Sequence, residues 1–404
     1  MNAYHWLVNR VLQFICVSTC WAAILAAVWI VVPAPSEFFW YLAVAAGEWG
    51  LWLGIAAVIG IVSGIVSILS FGLGRFTLVS IIAGLAAIII SLWPLVSVLP
   101  IARENSVSLS LSQYFAGIGA RNKASAGNQF SSYTFARNDG VDLKLDVYRP
   151  SIPSENNGAS VIVVHGGAWS HGVRNDFPQW NAWLARKGFT VFDVDYRLAP
   201  QPNYLTATGD IKCAVQWVKD HADEFGIDPD RVALLGRSAG AHLALLAAYS
   251  AGDNRLPSAC PESRSNESVR AVISLYAPID LLWAYDNPAN QRVIDGPGTL
   301  ANFLGGDPHE SNEIRDRFLL ASPTTHVSAT TPPTLLIQGD SDQLVRPENM
   351  QILSEKLKNA GITNKTILIP YAQHGFDYNF NGWGSQITES VLLDFLSKYT
   401  SALE

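Results

Sequence analysis

The chain is short of almost everything that metal, redox and nucleotide chemistry require. Its 404 residues include 4 cysteines, 2 methionines and 8 histidines. No Cys-x-x-Cys and no His-Glu-x-x-His occurs, so a metal site has no support. Gly-x-x-x-x-Gly-Lys and Gly-x-Gly-x-x-Gly are missing too, and with them the usual phosphate cradles of nucleotide cofactors. Charged residues make up 15% of the chain. They form no basic cluster, which argues against nucleic acid as a partner. Neither a cofactor nor a metal is expected.

Charge is scarcest at the N-terminal end. Residues 1–105 carry only Arg10, Arg75, Arg103, Glu37, Glu48 and Glu104, so the whole formal net charge of −7 falls after them. Three apolar stretches in this part, about 6–32, 49–72 and 76–101, each exceed the ~20 residues that cross a hydrocarbon core. A cleavable signal peptide would be shorter and would not be followed by two more such runs. The run Phe38 to Ala46, aromatic and flanked by Glu37 and Glu48, is expected to lie at the interface. Gly50, Gly54, Ala57, Gly60 and Gly64 form one small-residue stripe, the spacing that lets helices approach closely in lipid. The expectation is an all-α membrane domain over 1–105, in the inner membrane if the source is bacterial. Arg10 and Arg75 would face the cytoplasm, and the large domain the outer, periplasmic side.

Cys16 and Cys20 fall inside the first span, Cys213 within an amphipathic helical pattern and Cys260 in a polar loop. The pattern favours a buried thiol at Cys213, with a Cys213–Cys260 bridge as the alternative in an oxidising compartment. Residues 106–128, rich in Ser, Gly, Ala and Asn, read as a tether with one short helix near Leu109–Phe115.

From 129 to 404 the chain reads as one domain. Tyr133–Ala136 and Leu143–Tyr148 flank the turn Asn138-Asp139-Gly140 as a hairpin. Short apolar strands then alternate with amphipathic helices, the pattern of a mostly parallel sheet covered on both faces. In such a sheet ligands bind beyond the carboxyl ends of the strands.

The turns after three strands carry matching chemistry. Gly236-Arg237-Ser238-Ala239-Gly240 sits between the strand ending at Leu235 and a helix. That context makes Gly-x-Ser-x-Gly a nucleophile elbow, whereas the bare pattern would arise by chance in roughly one chain in seven of this length. Asp342 follows the strand Thr334–Ile337, and His374 follows Ile367–Ile369. A serine hydroxyl attacks only if a base takes its proton, imidazole titrates in the right range, and a carboxylate fixes its tautomer. The oxyanion donors are expected from the amides of Ala239, Gly167 and Ala168, the last two in the loop His165-Gly166-Gly167-Ala168-Trp169. Asp340 competes with Asp342 on position alone. His165 and His242 read as supports for the loop and the elbow helix. His171 reads as a solvated loop residue that could line the entrance, and His221, His309 and His326 as surface or packing positions. Asp195 and Arg197 are expected to pair with each other behind the site.

These motifs occur in order with Asp195-Tyr196-Arg197-Leu198-Ala199-Pro200, Gly339-Asp340-Ser341-Asp342-Gln343-Leu344-Val345 and His374-Gly375-Phe376. Together they resemble the carboxylesterases of the α/β-hydrolase fold related to hormone-sensitive lipase and to bacterial feruloyl esterases, over about 130–400. They also resemble a bacterial subgroup with membrane helices ahead of the esterase domain. The resemblance implies an α/β-hydrolase fold behind the membrane segment. It implies Ser238, Asp342 and His374 as catalytic triad, with spacing that selects Asp342 over Asp340. The expected substrate is a small-molecule or lipid ester, with membrane lipid as the other partner. Many relatives have a third glycine where this chain has Ala168, and Val-Pro where it has Arg346-Pro347. The segment 278–322, with Leu281, Leu282, Trp283, Tyr285, Leu300, Phe303 and Leu304, is expected to cap the substrate pocket, each of these side chains facing either the pocket or the cap's own core. A serine peptidase or amidase, or a non-catalytic hydrolase-fold module, are the other functions this pattern allows.

Overall fold

The computed structural model describes residues 3–117 and 130–402. Three helices in the N-terminal part are long and apolar enough to cross a membrane. They are α1 (Ala3–Ala27, continued by one turn of 3-10 helix to Ile30), α3 (Gly50–Phe71) and α4 (Arg75–Glu104). The expected interfacial run forms α2 (Glu37–Glu48), which bridges the end of α1 and the start of α3. The glycine stripe packs the bundle. A Cβ on Gly60 would lie 2.2 Å from Thr19 Oγ1, and one on Gly64 2.6 Å from Cys16 Sγ. Backbone proximity of this kind is what small residues allow.

The C-terminal domain holds one eight-stranded sheet in the order β1-β2-β4-β3-β5-β6-β7-β8. Strands β1 (Phe130–Asn138) and β2 (Val141–Tyr148) form the expected antiparallel edge, β2 pairing antiparallel with β4. The remaining strands β3 (Ser160–Val164), β4 (Thr190–Val194), β5 (Val232–Arg237), β6 (Ala271–Leu275), β7 (Thr334–Gly339) and β8 (Asn364–Ile369) run parallel. Every residue of β3 to β7 is buried, because helices cover both faces.

Alternate strand residues point into two cores. Ile162, Val164 and Leu234 meet α7 (Tyr204–Asp220) and α9 (Ala239–Tyr249) on one face, with the short α8 (Ala222–Phe225) at the rim. Val161, Val163 and Leu235 meet α6 (Pro178–Arg186) and α14 (Trp383–Tyr399) on the other. The insertion 278–322 contains α10 (Leu281–Asp286), α11 (Gly296–Leu304) and α12 (Asn312–Leu320), while α13 (Glu348–Asn359) joins β7 to β8.

Three expectations need correction. The first half of the supposed tether is docked, not loose. Val98 and Ala102 of α4 belong to the same core as α14. Tyr114, in α5 (Leu111–Ala116), stacks on Trp383 with ring centroids 4.4 Å apart. The Ser110 amide donates to Gln386 Oε1 at 2.7 Å. Residues 118–128 lie outside the described residues. Second, Cys213 is paired, its Cα 5.0 Å from that of Cys260, since the polar loop bearing Cys260 folds back on α7. Third, Asp195 and Arg197 do not pair with each other. Arg197 turns to the buried Asp210 at 2.6 Å and to Asp139, and Asp195 takes Arg174 at 2.6 Å. Neighbouring loop side chains two apart face different elements, which spacing could not reveal.

Candidate active site

The site begins with a backbone constraint. β5 ends and α9 begins so abruptly that Ser238 is held at φ 53°, ψ −123°. A turn this tight excludes side chains on its flanks. A Cβ on Gly236 would lie 2.3 Å from Gly240 O, and one on Gly240 2.2 Å from His165 O. The strain projects Ser238 Oγ from the carboxyl edge of the sheet.

Two neighbouring turns complete the arrangement. His374, after β8, places Nε2 2.8 Å from Ser238 Oγ, and its Nδ1 lies 2.8 Å from Asp342 Oδ2. Asp342 is fixed in turn. Its Oδ1 accepts from the amides of Leu344 and Val345 at 2.8 and 2.9 Å, and its Oδ2 from Gln338 Nε2 at 2.7 Å. Asp340 points away, exposed, to its neighbour Ser341. Of the two carboxylates, Asp342 is the one within hydrogen-bond reach of His374. A chain of this kind can take the serine proton during attack and stabilise the imidazolium that results.

The loop after β3 supplies donors. Gly167, Ala168 and Trp169 all have positive φ, 116°, 49° and 58°. A Cβ on Gly167 would come within 1.9 Å of His171 O. Gly167, Ala168 and Ala239 all line one cavity with Ser238 and His374. Among the described residues no acceptor takes the amides of these three. Free N–H groups beside a nucleophile are the requirement for holding a developing oxyanion.

Both supporting histidines are tied to backbone. His242 Nδ1 accepts from Trp169 Nε1 at 3.1 Å, so its Nε2 carries the proton and donates to Ala321 O at 2.8 Å. Burial lowers its pKa to about 4, which keeps it neutral and disqualifies it as a base near neutral pH. His165 donates from Nδ1 to Gly166 O at 2.7 Å and stacks on Tyr196; burial lowers its pKa as well. His171 is exposed and also lines the cavity.

The cavity measures about 650 Å³. The insertion 278–322 lines it with Ala284, Val293, Ile294 and Thr299 among others, but of the seven apolar residues singled out there, only Leu300 does so. Leu281, Phe303, Leu304 and the partly buried Leu282 and Tyr285 pack the domain core instead, and Trp283 lies under the Arg346 guanidinium. Sequence reasoning missed two contributions. Trp40 and Tyr41 of α2 line the cavity, although they sit about two hundred residues from Ser238 in a segment read only as interfacial. Tyr276, following β6, places its ring 4.5 Å from that of His374; no motif flags it.

Sheet order, elbow and histidine turn together define an α/β hydrolase with a serine-histidine-aspartate array. The chain belongs to the BD-FAE family, which matches residues 145–357. It is 33% identical over 238 residues to Esterase LipC of Mycobacterium tuberculosis, covering 58% of this chain and 57% of that protein. Esterase LipQ of the same organism is 30% identical over 263 residues, covering 64% and 59%. The matched region thus spans less than two thirds of these curated relatives. Among solved structures, the native esterase Est2 of Thermogutta terrifontis superposes with a TM-score of 0.54 at 25% identity, over 67% of this chain and 92% of that one. The same esterase phosphonylated by sarin gives a TM-score of 0.54 at 25% identity, over 69% and 97%.

Proposed function

We propose that this protein is a membrane-anchored serine carboxylesterase that cleaves carboxylic esters through an acyl-enzyme. The observation that carries the reading is the chain Ser238 Oγ–His374 Nε2, His374 Nδ1–Asp342 Oδ2, each link 2.8 Å, on the wall of a cavity with three free amides. Ser238 Oγ attacks the carbonyl carbon and passes its proton to His374 Nε2. The carbonyl oxygen becomes an oxyanion held by the amides of Gly167, Ala168 and Ala239. As the ester C–O bond breaks, His374 returns the proton to the departing alcohol. Water then repeats the sequence, its proton going to His374 and on to Ser238, and the acid is released.

The acyl group is proposed to be short. The Thermogutta terrifontis esterase is known as butyrate-bound and propionate-bound structures, which superpose on this chain at 25% and 26% identity with TM-scores of 0.53. Hydrolysis of a nitrophenyl ester series by the purified full-length protein tests the reading. The acetate-to-butyrate members should turn over, and Ser238→Ala should lower turnover by about 10⁶. Activity in Ser238→Ala within tenfold of the wild type would overturn the assignment.

The three long helices serve as the anchor, with the catalytic domain on the outer side. Arg10 and Arg75 at the opposite end support this placement, as does the Cys213–Cys260 disulfide, a bond that persists in oxidising compartments. Protease added to intact spheroplasts should degrade the esterase domain. Protection until lysis would reverse the placement and leave the chemistry standing.

A further inference from the structure

The carboxyl edge of the sheet, where Ser238 sits, faces the end of the helical bundle. Both ends of α2 are fastened to the turns that bear the triad. At its start, the Ala34 amide donates to Gln343 Oε1 at 2.7 Å, and Asn290 Nδ2 donates to Ala34 O at 2.7 Å. Gln343 is the neighbour of Asp342. At its end, Tyr371 Oη donates to Glu48 Oε1 at 3.3 Å, and Asn379 Nδ2 donates to Glu48 O at 3.0 Å. Tyr371 lies three residues before His374. Between these two pins, Glu37, Trp40 and Tyr41 form part of the cavity wall.

The height of α2 follows from the spans. α1 finishes at Ile30 and α3 starts at Gly50, whose Cβ position would touch Ser91 O of α4 at 3.0 Å and Ile30 Cδ1 at 3.7 Å. These three residues mark one level, at which the first long helix ends and the second begins. α2 lies beside that level, held to α1 by Trp29 against Phe39 with centroids 4.5 Å apart. Its outer flank is aromatic and uncovered: Phe38 is 66% exposed and Tyr41 59%, with the exposed Glu37 one turn away accepting from Tyr41 Oη at 3.3 Å. Val31 and Val32, just before it, are exposed too. An aromatic helix at this height lies among the lipid headgroups.

From this juxtaposition we infer that the cavity is fed from the bilayer, and that the substrate is an amphiphilic ester with a short acyl group on a long-chain alcohol. The inference rests on the esterase reading and keeps its short acyl group. The alkyl tail stays in the hydrocarbon and passes α2, while the ester group, which partitions to the interface, reaches Ser238. Cleavage breaks the acyl C–O bond with one water. The long-chain alcohol remains in the bilayer, and the short acid leaves as carboxylate and proton into the water.

The test uses the full chain reconstituted in phosphatidylcholine vesicles and two butyrate esters that give the same acyl-enzyme. Octadecyl butyrate is placed either in the vesicles that hold the protein or in separate vesicles. Ethyl butyrate is supplied in solution. Butyrate release is followed over the time before octadecyl butyrate exchanges between vesicles. The expected result is release from octadecyl butyrate at least tenfold faster when ester and protein share a bilayer, with ethyl butyrate cleaved in both preparations. Equal rates from shared and separate vesicles, or cleavage of ethyl butyrate alone, would overturn the bilayer route and leave the esterase reading intact. Failure to cleave either ester would overturn both.

Discussion

Arg237, the residue before the serine, donates from Nε to Asp377 Oδ2 at 2.5 Å, and neither side chain is more than 2% exposed. Asp377 also accepts from Tyr276 Oη at 2.5 Å, and the guanidinium lies 4.0 Å from the centroid of the Phe177 ring. This pair joins the serine turn to the histidine turn from behind, so two loops distant in sequence are tied together. Because the ions are out of water, removing one strands the other. Asp377→Asn should cost about 3–5 kcal/mol of stability, read as a fall in the denaturation midpoint in detergent. A variant as stable as the wild type would show that the pair is solvated in the working protein.

The two candidate carboxylates separate cleanly by experiment. If Asp342 orients His374, Asp342→Asn should reduce turnover by about 10⁴. Asp340→Asn, altering an exposed side chain, should leave the rate near that of the wild type. The reverse order would move the role to Asp340.

Ala168 offers a test of backbone strain. Its φ of 49° is a conformation that disfavours a Cβ by about 1–2 kcal/mol. Ala168→Gly should therefore raise the thermal midpoint while ester hydrolysis continues. A lowered midpoint would mean that the methyl group packs more favourably than the backbone is strained.

The pH dependence of stability should report on the docking of α5. Glu389 of α14 accepts from Gln113 Nε2 at 3.3 Å. Burial raises its pKa to about 7 against the opposing pull of that hydrogen bond. The folded protein thus keeps a proton that the unfolded chain gives up near pH 4.5. This group favours folding most below the unfolded value, and its contribution is lost as pH rises towards 7. Glu389→Gln removes the titration. Its thermal midpoint should gain on the wild type between pH 5 and pH 8, and parallel curves would refute the assignment.

Some of this molecule could be read from its residues alone, and some could not. Ser238, Asp342 and His374 were legible as candidates because each stands in the turn after an apolar strand, and the fold brings the three side chains within hydrogen-bond reach. The roles of Trp40, Tyr276 and Asp377 were not. Each depends on a contact between segments far apart in sequence, and none carries a spacing rule. Leu281 and Phe303 were open between pocket and core, and both pack in the core. An apolar side chain in an insertion can face a pocket or a core, and hydropathy is identical for both. Arg197 shows a further limit, since a cation with several acids nearby chooses by geometry rather than by proximity along the chain.

Helix α4 is one unbroken element of 30 residues, about 45 Å from end to end at the usual rise per residue. A hydrocarbon core is about 30 Å thick, so a rod of this length is about 15 Å longer than the layer it is proposed to cross, and Val98 and Ala102 near its end pack in the protein layer beside α14. With α4 as the proposed anchor, one ruler would set the elevation of the hydrolase above the lipid. Adding residues to surface loops would not lift the domain. Extending α4 by one turn would raise it by about 5 Å and shear α2 from the triad turns at the same stroke.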